Sequence, residues 1–545
     1  MNLEETIEES VLEAGSESSG RGLVGAAALI AAGNIVSRIL GLVRETVIAY
    51  LFGATGYVSV FRLAATLIQT LYDFLVGGMV SAALVPVFSD FASRDPVSKE
   101  ELWRFASIVI NVLAIALALA VLGLEIFAPQ LVWVLGSGYD PALQDAAVQM
   151  VRLILPAVFF LGVSGVIAGL LYSLKRFAFP AFTTAAYNLG IVVIALALAP
   201  VFGITSLVVG ILVGSAAQVV LQLPALRDMR YHCVIDFSHP ALRKILRLYV
   251  PVVGGLSIMV IGVAIDRNLA SHTGEQSLAW MTAATVLIQF PLGLVATAIS
   301  FAILPTLSSQ YSVSSKQYSV AEGRAAEDRI PNTEQFRSTL AFGIKLVLLL
   351  ILPSTIGLFV LARPIVALLY ERGAFTAVDT LATSTALRFY LIGLPFAAID
   401  QPLVFAFYAR KNTLAPNLVA FAGVGIYLVV ALALIQSLGM IGLVIANSAQ
   451  LTGHALIMLW LTRLRLGGLG RQGVATLLGK VLAASAVMGA VAFVSIARLE
   501  TASHLIQVLV PTAAAGCMYV ACLWLLRVKE AERVWQMVLA RVRRA

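Results

Sequence analysis

Charge, cysteine and histidine are scarce in this sequence. Charged residues make up only 12% of its 545 residues, against about 25% in soluble domains, so the chain has too little charge to cover a water-facing surface. Its five histidines are scattered, and its three cysteines show neither metal-ligand nor disulfide spacing. We therefore predict no metal and no other cofactor, and interpret Cys233, Cys517 and Cys522 as packing residues.

Three further features are missing. Residues 1–20 are acidic and polar, with no basic segment and no cleavage site before the first apolar run, so we expect no secretory signal. We predict a disordered cytoplasmic tail over residues 1–22. Short alternating strands are lacking, which excludes a transmembrane barrel. Paired carboxylates on an outer loop and nucleophile motifs are also lacking, so we predict that the chain is not an enzyme.

Long apolar runs, in contrast, are abundant. Hydrophobic residues make up 60% of the chain, and the mean hydropathy is +0.94. Runs of roughly 20 residues, enough to cross about 30 Å of hydrocarbon as a helix, recur from end to end and predict an all-α, polytopic membrane protein with about fourteen transmembrane helices. The predicted spans are 23–51, 58–88, 104–127, 147–172, 180–202, 204–224, 245–266, 278–306, 338–362, 385–408, 415–436, 439–462, 474–497 and 504–526.

Lysine and arginine alternate between the two sides of the predicted membrane. Loops after even-numbered spans are rich in both, whereas loops after odd-numbered spans hold only Arg267, Arg363, Arg372 and Arg498. The positive-inside rule therefore predicts that both termini lie in the cytoplasm. Basic loops against an anionic leaflet also explain the net charge of +8 without nucleic acid as a partner. We interpret the basic loop that carries two of the histidines, between spans 6 and 7, as a solvated surface.

The chain repeats itself. Three motifs recur in the second half of the chain. The first recurs at a shorter interval than the other two, because the second copy is longer than the first in the polar loop 308–337, where insertions are expected. The aligned pairs are Pro86 with Pro305, Gly138 with Gly373 and Tyr172 with Tyr408, and the last two pairs have nearly the same separation along the chain. Spans 1–6 and 7–12 are therefore predicted to be two copies of one six-helix unit, followed by two appended helices.

The repeat predicts a transporter. Because six is even, both copies enter the membrane from the same side, and such parallel repeats occur in secondary transporters whose substrate site lies between the halves. A cargo-free scaffold is the alternative from another class, but it leaves the charges within the first span unexplained. The predicted organisation is an N-terminal lobe at 23–224, a cytoplasmic linker at 225–244, a C-terminal lobe at 245–463, two appended spans at 474–526 and a basic cytoplasmic tail at 527–545.

The first span carries charge where hydrocarbon is expected. Arg38 lies about 22 Å along a helix that starts near Leu23, too deep for easy snorkelling. A charge at that depth costs roughly 2.5–3.5 kcal/mol and usually faces a wet cavity or a bundle interior. A structural ion pair is the alternative for Arg38, and snorkelling to the outer interface is the alternative for Arg44. Arg62, in the second span, is interpreted as an interface anchor.

These side chains form a polar sector. Its central stripe recurs at i, i+4, i+7 and i+11, and its one carboxylate cannot neutralise both arginines, so the sector stays positive. Guanidinium groups are well shaped for phosphate. The predicted substrate-binding residues are Asn34, Ser37, Arg38, Gly41, Arg44 and Glu45.

A second intramembrane carboxylate is a candidate for ion coupling. Asp400 lies between Pro395 and Pro402 in span 10, where proline-broken backbone and a carboxylate can coordinate a cation or accept a proton. The alternative is that Asp400 pairs with a nearby base such as Arg388 or caps a broken helix.

Several motifs carry a family resemblance. "SRILGLVRETVIAYLFGA", "ALVPVFSDF", "QFPLGLVATAISFAILPTLS" and "ERGAFTAVDT" resemble the MurJ (MviN) family of the multidrug/oligosaccharidyl-lipid/polysaccharide exporter superfamily, over roughly Ala26 to Thr462. The resemblance implies a flippase that moves lipid II, an undecaprenyl-pyrophosphate-linked precursor of peptidoglycan, across the bacterial inner membrane by alternating access. We also expect coupling to a cation or to the membrane potential. Arg38 and Arg44 match the two functional first-span arginines of the family.

The chain departs from the family pattern in spans 2 and 8. Tyr72 and Gly77 stand where the family has an arginine and a glutamate, and Val286 and Gln289 stand at another such pair. Much of the family's charged cavity is therefore replaced. A flippase for another polyprenyl-linked glycan and a drug/cation antiporter of the same superfamily stay as alternatives, although cationic drugs favour an acidic cavity.

Overall fold

The computed structural model describes residues 29–92, 99–321, 334–532 and 536. The predicted tail at 1–22 and most of the basic tail at 527–545 lie outside these residues. Every regular element within them is helical. Thirteen helical stretches, some of them made of consecutive helical segments, are long and apolar enough to cross a membrane. A further helix over residues 29–52 precedes these thirteen. Each of the fourteen predicted spans coincides with one of these helices, so the prediction of an all-α polytopic membrane protein is confirmed.

The chain divides into two compact units, Met1–Asn268 and Leu269–Ala545. The lobe boundaries derived from the repeat stay a prediction. The helices of the first unit are 29–52, Gly56–Tyr72, Val85–Ala92, Lys99–Ile126, Ala128–Gly136, Pro141–Ile154, Pro156–Ser173, Ala178–Ala181, Thr183–Phe202 and Thr205–Gln222, and Pro240–Ser271 runs across the division. The helices of the second unit are Ser277–Pro291, Ala298–Ala321, Glu334–Val360, Ala362–Tyr370, Ala377–Ala409, Leu414–Leu438, Met440–Leu466, Val474–Ala497 and His504–Leu525.

Local backbone geometry recurs at equivalent positions of the sequence repeat. Lys175 and Lys411 both follow a span and both have positive φ, at 59° and 57°. Each donates its amide to the carbonyl three residues earlier, that of Tyr172 at 3.0 Å and that of Tyr408 at 2.8 Å. A lysine in this left-handed conformation is uncommon, so its presence in both copies indicates that one helix end has been duplicated.

Helix distortions also recur. Gly203 and Gly439 are related by the same interval as Lys175 and Lys411, and both end a span with φ of 53°. The π-helical segments Asp73–Gly77 and Leu292–Thr297 are related by the interval that separates the first pair of aligned prolines. In sequence, these segments include or closely follow the positions at which spans 2 and 8 depart from the family pattern. The helix is therefore distorted at or just after the positions where the sequence departs from the family pattern. Such π-helical turns are frequent at functional sites.

Two predictions from the sequence are wrong, one about the backbone of span 10 and one about the burial of two cysteines. Span 10 is one continuous helix, Ala377–Ala409, with Pro395 and Pro402 inside it, so the expectation of a proline-broken backbone is wrong. Membrane helices tolerate proline because neighbouring groups satisfy the backbone that it frees. Cys233 and Cys517 are exposed, so interpreting them as packing residues is also wrong.

Part of the linker between spans 6 and 7 is held against the protein, contrary to its interpretation as a solvated surface. The side-chain amide of Asn111 donates to the carbonyls of His232 at 3.2 Å and Val234 at 2.9 Å. The amide of His232 donates to the hydroxyl of Ser107 at 3.0 Å. The linker therefore packs along the helix Lys99–Ile126, because this helix offers polar side chains to an extended backbone.

Candidate functional site

The first two helices form a hairpin that brings distant charges together. The helix over 29–52 ends at Gly53, whose φ of 63° is available to glycine without steric cost. Thr55 caps the next helix, Gly56–Tyr72, by accepting a hydrogen bond from the amide of Val58 at 3.3 Å. Glu45 lies eight residues before Gly53 and Arg62 lies nine residues after it, so the two side chains meet across the hairpin.

Glu45 is the centre of the cluster. Its side chain is only 2% exposed, and both of its carboxylate oxygens accept hydrogen bonds from the two terminal nitrogens of Arg62. Arg44 donates to the same carboxylate, with Nη2 at 2.8 Å and Nε at 3.2 Å from Oε1. Interpreting Arg62 as an interface anchor is wrong, because its guanidinium turns inward to this carboxylate.

Asn188 ties the cluster to a third helix, Thr183–Phe202. Its side-chain oxygen accepts a hydrogen bond from Nη1 of Arg44 at 3.0 Å, and its side-chain nitrogen donates to the carbonyl of Ser37 at 3.1 Å. Asn188 is 5% exposed. Sequence reasoning missed it, although an asparagine within the apolar run of span 5 was a signal that could have been used.

The cluster carries a net positive charge. Two guanidinium groups, those of Arg44 and Arg62, share the one carboxylate of Glu45, which leaves one positive charge in excess. Arg38 lies six residues before Arg44 on the same helix, about 9 Å along its axis, and its side chain is half-buried. The excess positive charge of the cluster formed by Arg44, Arg62 and Glu45 favours an anionic ligand over a cationic one.

The structure places the six predicted binding residues in two groups. Arg44, Glu45 and the backbone of Ser37 belong to one hydrogen-bonded network. Gly41 packs beside that network, since a Cβ at this position would lie 3.6 Å from the side-chain nitrogen of Asn188. Asn34, which is exposed, and Arg38 lie earlier on the same helix. The binding roles of all six stay predictions.

A carboxylate and an imidazole lie close together within the second unit. Oδ1 of Asp400 lies 2.9 Å from Nδ1 of His454, and each side chain is 17% exposed. Arg388, the base predicted as the alternative partner, donates instead to the carbonyl of Phe359 at 3.3 Å. His454 lies in the middle of the helix Met440–Leu466, about 21 Å from its start, so the pair is near mid-membrane.

Sequence reasoning treated His454 only as one of several scattered histidines. No pattern in one helix pointed to its carboxylate partner on another. Among the residues that the structure describes, no group of three or more histidine, cysteine or acidic side chains is placed to hold a metal ion.

A multi-pass helical protein with an internal six-helix repeat and arginines within its first span is built like a secondary transporter. Among solved structures, the chain is similar to a lipid II flippase MurJ in an inward closed conformation, with a TM-score of 0.74 and 24% identity over 91% of this chain and 97% of that one. It is also similar to an inward-facing MATE family multidrug transporter of the MOP superfamily, with a TM-score of 0.64 and 15% identity over 80% and 96% of the two chains. These two likenesses concern the fold alone.

The family follows from the sequence match. The model of the family described as lipid II flippase MurJ matches residues 48–511, and the chain belongs to this family, so the predicted resemblance is confirmed. The lipid II flippase MurJ of Burkholderia cenocepacia is 28% identical over 397 residues, which cover 71% of this chain and 73% of that protein. The family match begins three residues after Glu45, so the charged residues of the first helix lie just before it.

Proposed function

We propose that this protein is a flippase that moves lipid II from the cytoplasmic to the outer leaflet by alternating access. The observation that carries the proposal is the family match over residues 48–511. The excess positive charge of the first helix adds a physical reason, because the pyrophosphate of lipid II is the part of the cargo that is most costly to place in hydrocarbon. Guanidinium groups offset that cost through charge-assisted hydrogen bonds.

In this proposal the two first-span arginines have different roles. All three side-chain nitrogens of Arg44 donate hydrogen bonds to Glu45 or Asn188. Arg44 therefore holds the first helix against the helix of Asn188 and contributes to the positive charge of the cluster. Arg38, nearly two turns away, contacts the pyrophosphate. Asn34 and Ser37 lie within about one turn of Arg38 and supply further polar groups to the same ligand.

The proposal includes an orientation and a coupling site. Both termini lie in the cytoplasm, supported by the lysine and arginine bias of the loops. Asp400 and His454 form the coupling site, because a carboxylate and an imidazole in hydrocarbon are least costly when together they hold one proton or one cation. Cargo and ion thus bind in separate units of the chain.

Complementation tests the proposal. The protein is expressed in a bacterium whose own lipid II flippase is depleted, and growth is scored together with the amount of inserted protein. We expect rescue by the wild-type chain and by Ile35→Ala, an exposed apolar position on the same helix, and no rescue by Arg38→Ala at equal insertion. Correct insertion of the wild-type chain without rescue would contradict lipid II as the cargo.

A further inference from the structure

A cationic groove lies at the helix ends of the first unit, away from the charged cluster. Its volume is about 630 Å³. Several helix ends meet there, which places the groove at the level of the membrane interface. The lining residues are Leu29, Lys175, Arg176, Phe177, Ala178, Phe179, Pro224, Ala225, Arg227 and Asp228.

One wall of the groove is built by an ion pair. The guanidinium of Arg176 donates two hydrogen bonds to the carboxylate of Asp228, both at 2.6 Å, and a third to the carbonyl of Ala225. Hydrogen bonding to Asp228 raises the pKa of Arg176 above its usual value. The carboxylate is thereby neutralised, so it does not repel an anion that enters the groove.

Two other cations are available to a ligand. Lys175 and Arg227 line the groove and are exposed, and within the described residues no carboxylate forms an ion pair with either. Lys175 has a φ of 59°, a conformation that is uncommon for a residue with a side chain. The turn thus places a lysine ammonium at the groove instead of the glycine or asparagine that such a turn favours.

The rest of the lining is apolar. Phe177, Phe179, Pro224 and Leu29 offer hydrocarbon beside the two cations. A free phosphate ion makes no favourable contact with an apolar surface, whereas the glycerol and first acyl carbons of a phospholipid pack against it. Basic pockets between transmembrane helices on the cytoplasmic side are where anionic lipid headgroups bind.

A groove at the equivalent position of the second unit can be compared with that of the first unit. It measures about 350 Å³, and its charged lining is reduced to Arg465. Four lining positions are equivalent in the sequence repeat, namely Arg176 with Asn412, Ala178 with Leu414, Phe179 with Ala415 and Ala225 with Leu461. The repeat thus supplies a groove twice. Lys411 and Arg463 stand at the positions equivalent to Lys175 and Arg227 but do not line the second groove, and Asn412 and Leu464 replace the ion pair of Arg176 with Asp228.

We propose that the groove of the first unit binds the phosphate headgroup of an anionic membrane phospholipid through Lys175 and Arg227. Arg176 and Asp228 hold the wall in place, and the two phenylalanines contact the lipid below its headgroup. This lipid is a resident of the interface and not the transported cargo, so the inference does not rest on the proposed transport function.

Native mass spectrometry of the full chain tests the site. The protein is purified in detergent with an equal mixture of phosphatidylglycerol and phosphatidylethanolamine, and the retained lipids are counted. We expect the wild type to retain phosphatidylglycerol preferentially. We expect Lys175→Gln with Arg227→Gln to lower its apparent affinity about 10- to 30-fold, since each interfacial cation contributes about 1 kcal/mol.

The matched control is Arg230→Gln with Arg243→Gln, which removes the same charge from exposed positions outside the groove, and it should retain the preference. Lys175→Arg with Arg227→Lys should also retain it, which separates loss of charge from loss of folding. Equal loss in the groove and control variants would overturn the site, as would a wild type without preference. Displacement of phosphatidylglycerol by millimolar inorganic phosphate would assign the groove to a free anion and overturn the lipid.

Discussion

At the scale of single residues, the first helix depends on how charge is balanced inside a membrane. Glu45 is shared by Arg44 and Arg62, so it neutralises one of them and orients both. Removing one partner of a buried ion pair is costly because it leaves an uncompensated charge. Neutral variants of these three residues should therefore differ in stability, according to the charge that each change leaves unpaired.

We expect Glu45→Gln to destabilise the protein more than Arg62→Gln. The first variant leaves two guanidinium groups without a carboxylate and should cost roughly 3–5 kcal/mol of unfolding free energy. The second leaves the neutral pair of Arg44 and Glu45 and should cost clearly less. The measurement is the free energy of unfolding in lipid bicelles. Equal stability of Glu45→Gln and the wild type would show that the carboxylate does not balance this cluster.

Asp400→Asn should abolish the dependence of transport on an ion gradient while leaving the protein folded. The change removes the charge that, with His454 at 2.9 Å, holds the proposed proton or cation. His454→Gln should have the same effect, and His504→Gln, at an exposed histidine, should have none. Transport is measured in vesicles with and without an imposed gradient. Unchanged gradient dependence in Asp400→Asn would remove the pair from the coupling mechanism.

At the scale of elements, helix positions followed from hydropathy, whereas helix partners did not. The predicted span 474–497 coincides with Val474–Ala497, because a membrane helix needs an apolar run of fixed length. The contact of Arg44 with Asn188 joins two helices that are far apart in sequence, and no periodicity within one helix encodes such a pairing. Hydropathy placed Arg62 in the right span, but it indicates depth and not the direction in which a side chain turns.

The close approach of the first helix to residues 178–181 depends on Gly33. A Cβ at Gly33 would lie 2.2 Å from the backbone oxygen of Ala181, whereas a Cβ at Gly41 meets nothing closer than 3.6 Å. Both changes to alanine gain about 1 kcal/mol of helix propensity. We therefore expect Gly41→Ala to be neutral or stabilising and Gly33→Ala to be destabilising, as measured by thermal unfolding. Similar melting temperatures for the two variants would contradict this packing.

At the scale of the whole molecule, the sequence repeat predicted more than composition did. It predicted two equivalent helix ends, and Lys175 and Lys411 share the same unusual backbone conformation. It did not predict the difference between the two grooves at those ends, since that difference comes from substitutions such as Asn412 for Arg176. Repeated motifs thus predict that the two copies share a fold. The side-chain interactions that differ between the copies are known only from the contacts in the structure.

Transport of lipid II across the membrane is the function that we propose for this chain. The most direct measurement uses spheroplasts depleted of their own flippase and follows the rate at which labelled lipid II becomes accessible to an impermeant reagent outside. We predict that the wild-type chain sustains this rate and that Arg38→Ala lowers it roughly ten- to hundredfold, since a lost charge-assisted contact costs about 1.5–3 kcal/mol. Lipid II that stays inaccessible while the wild-type chain is fully inserted would contradict this function.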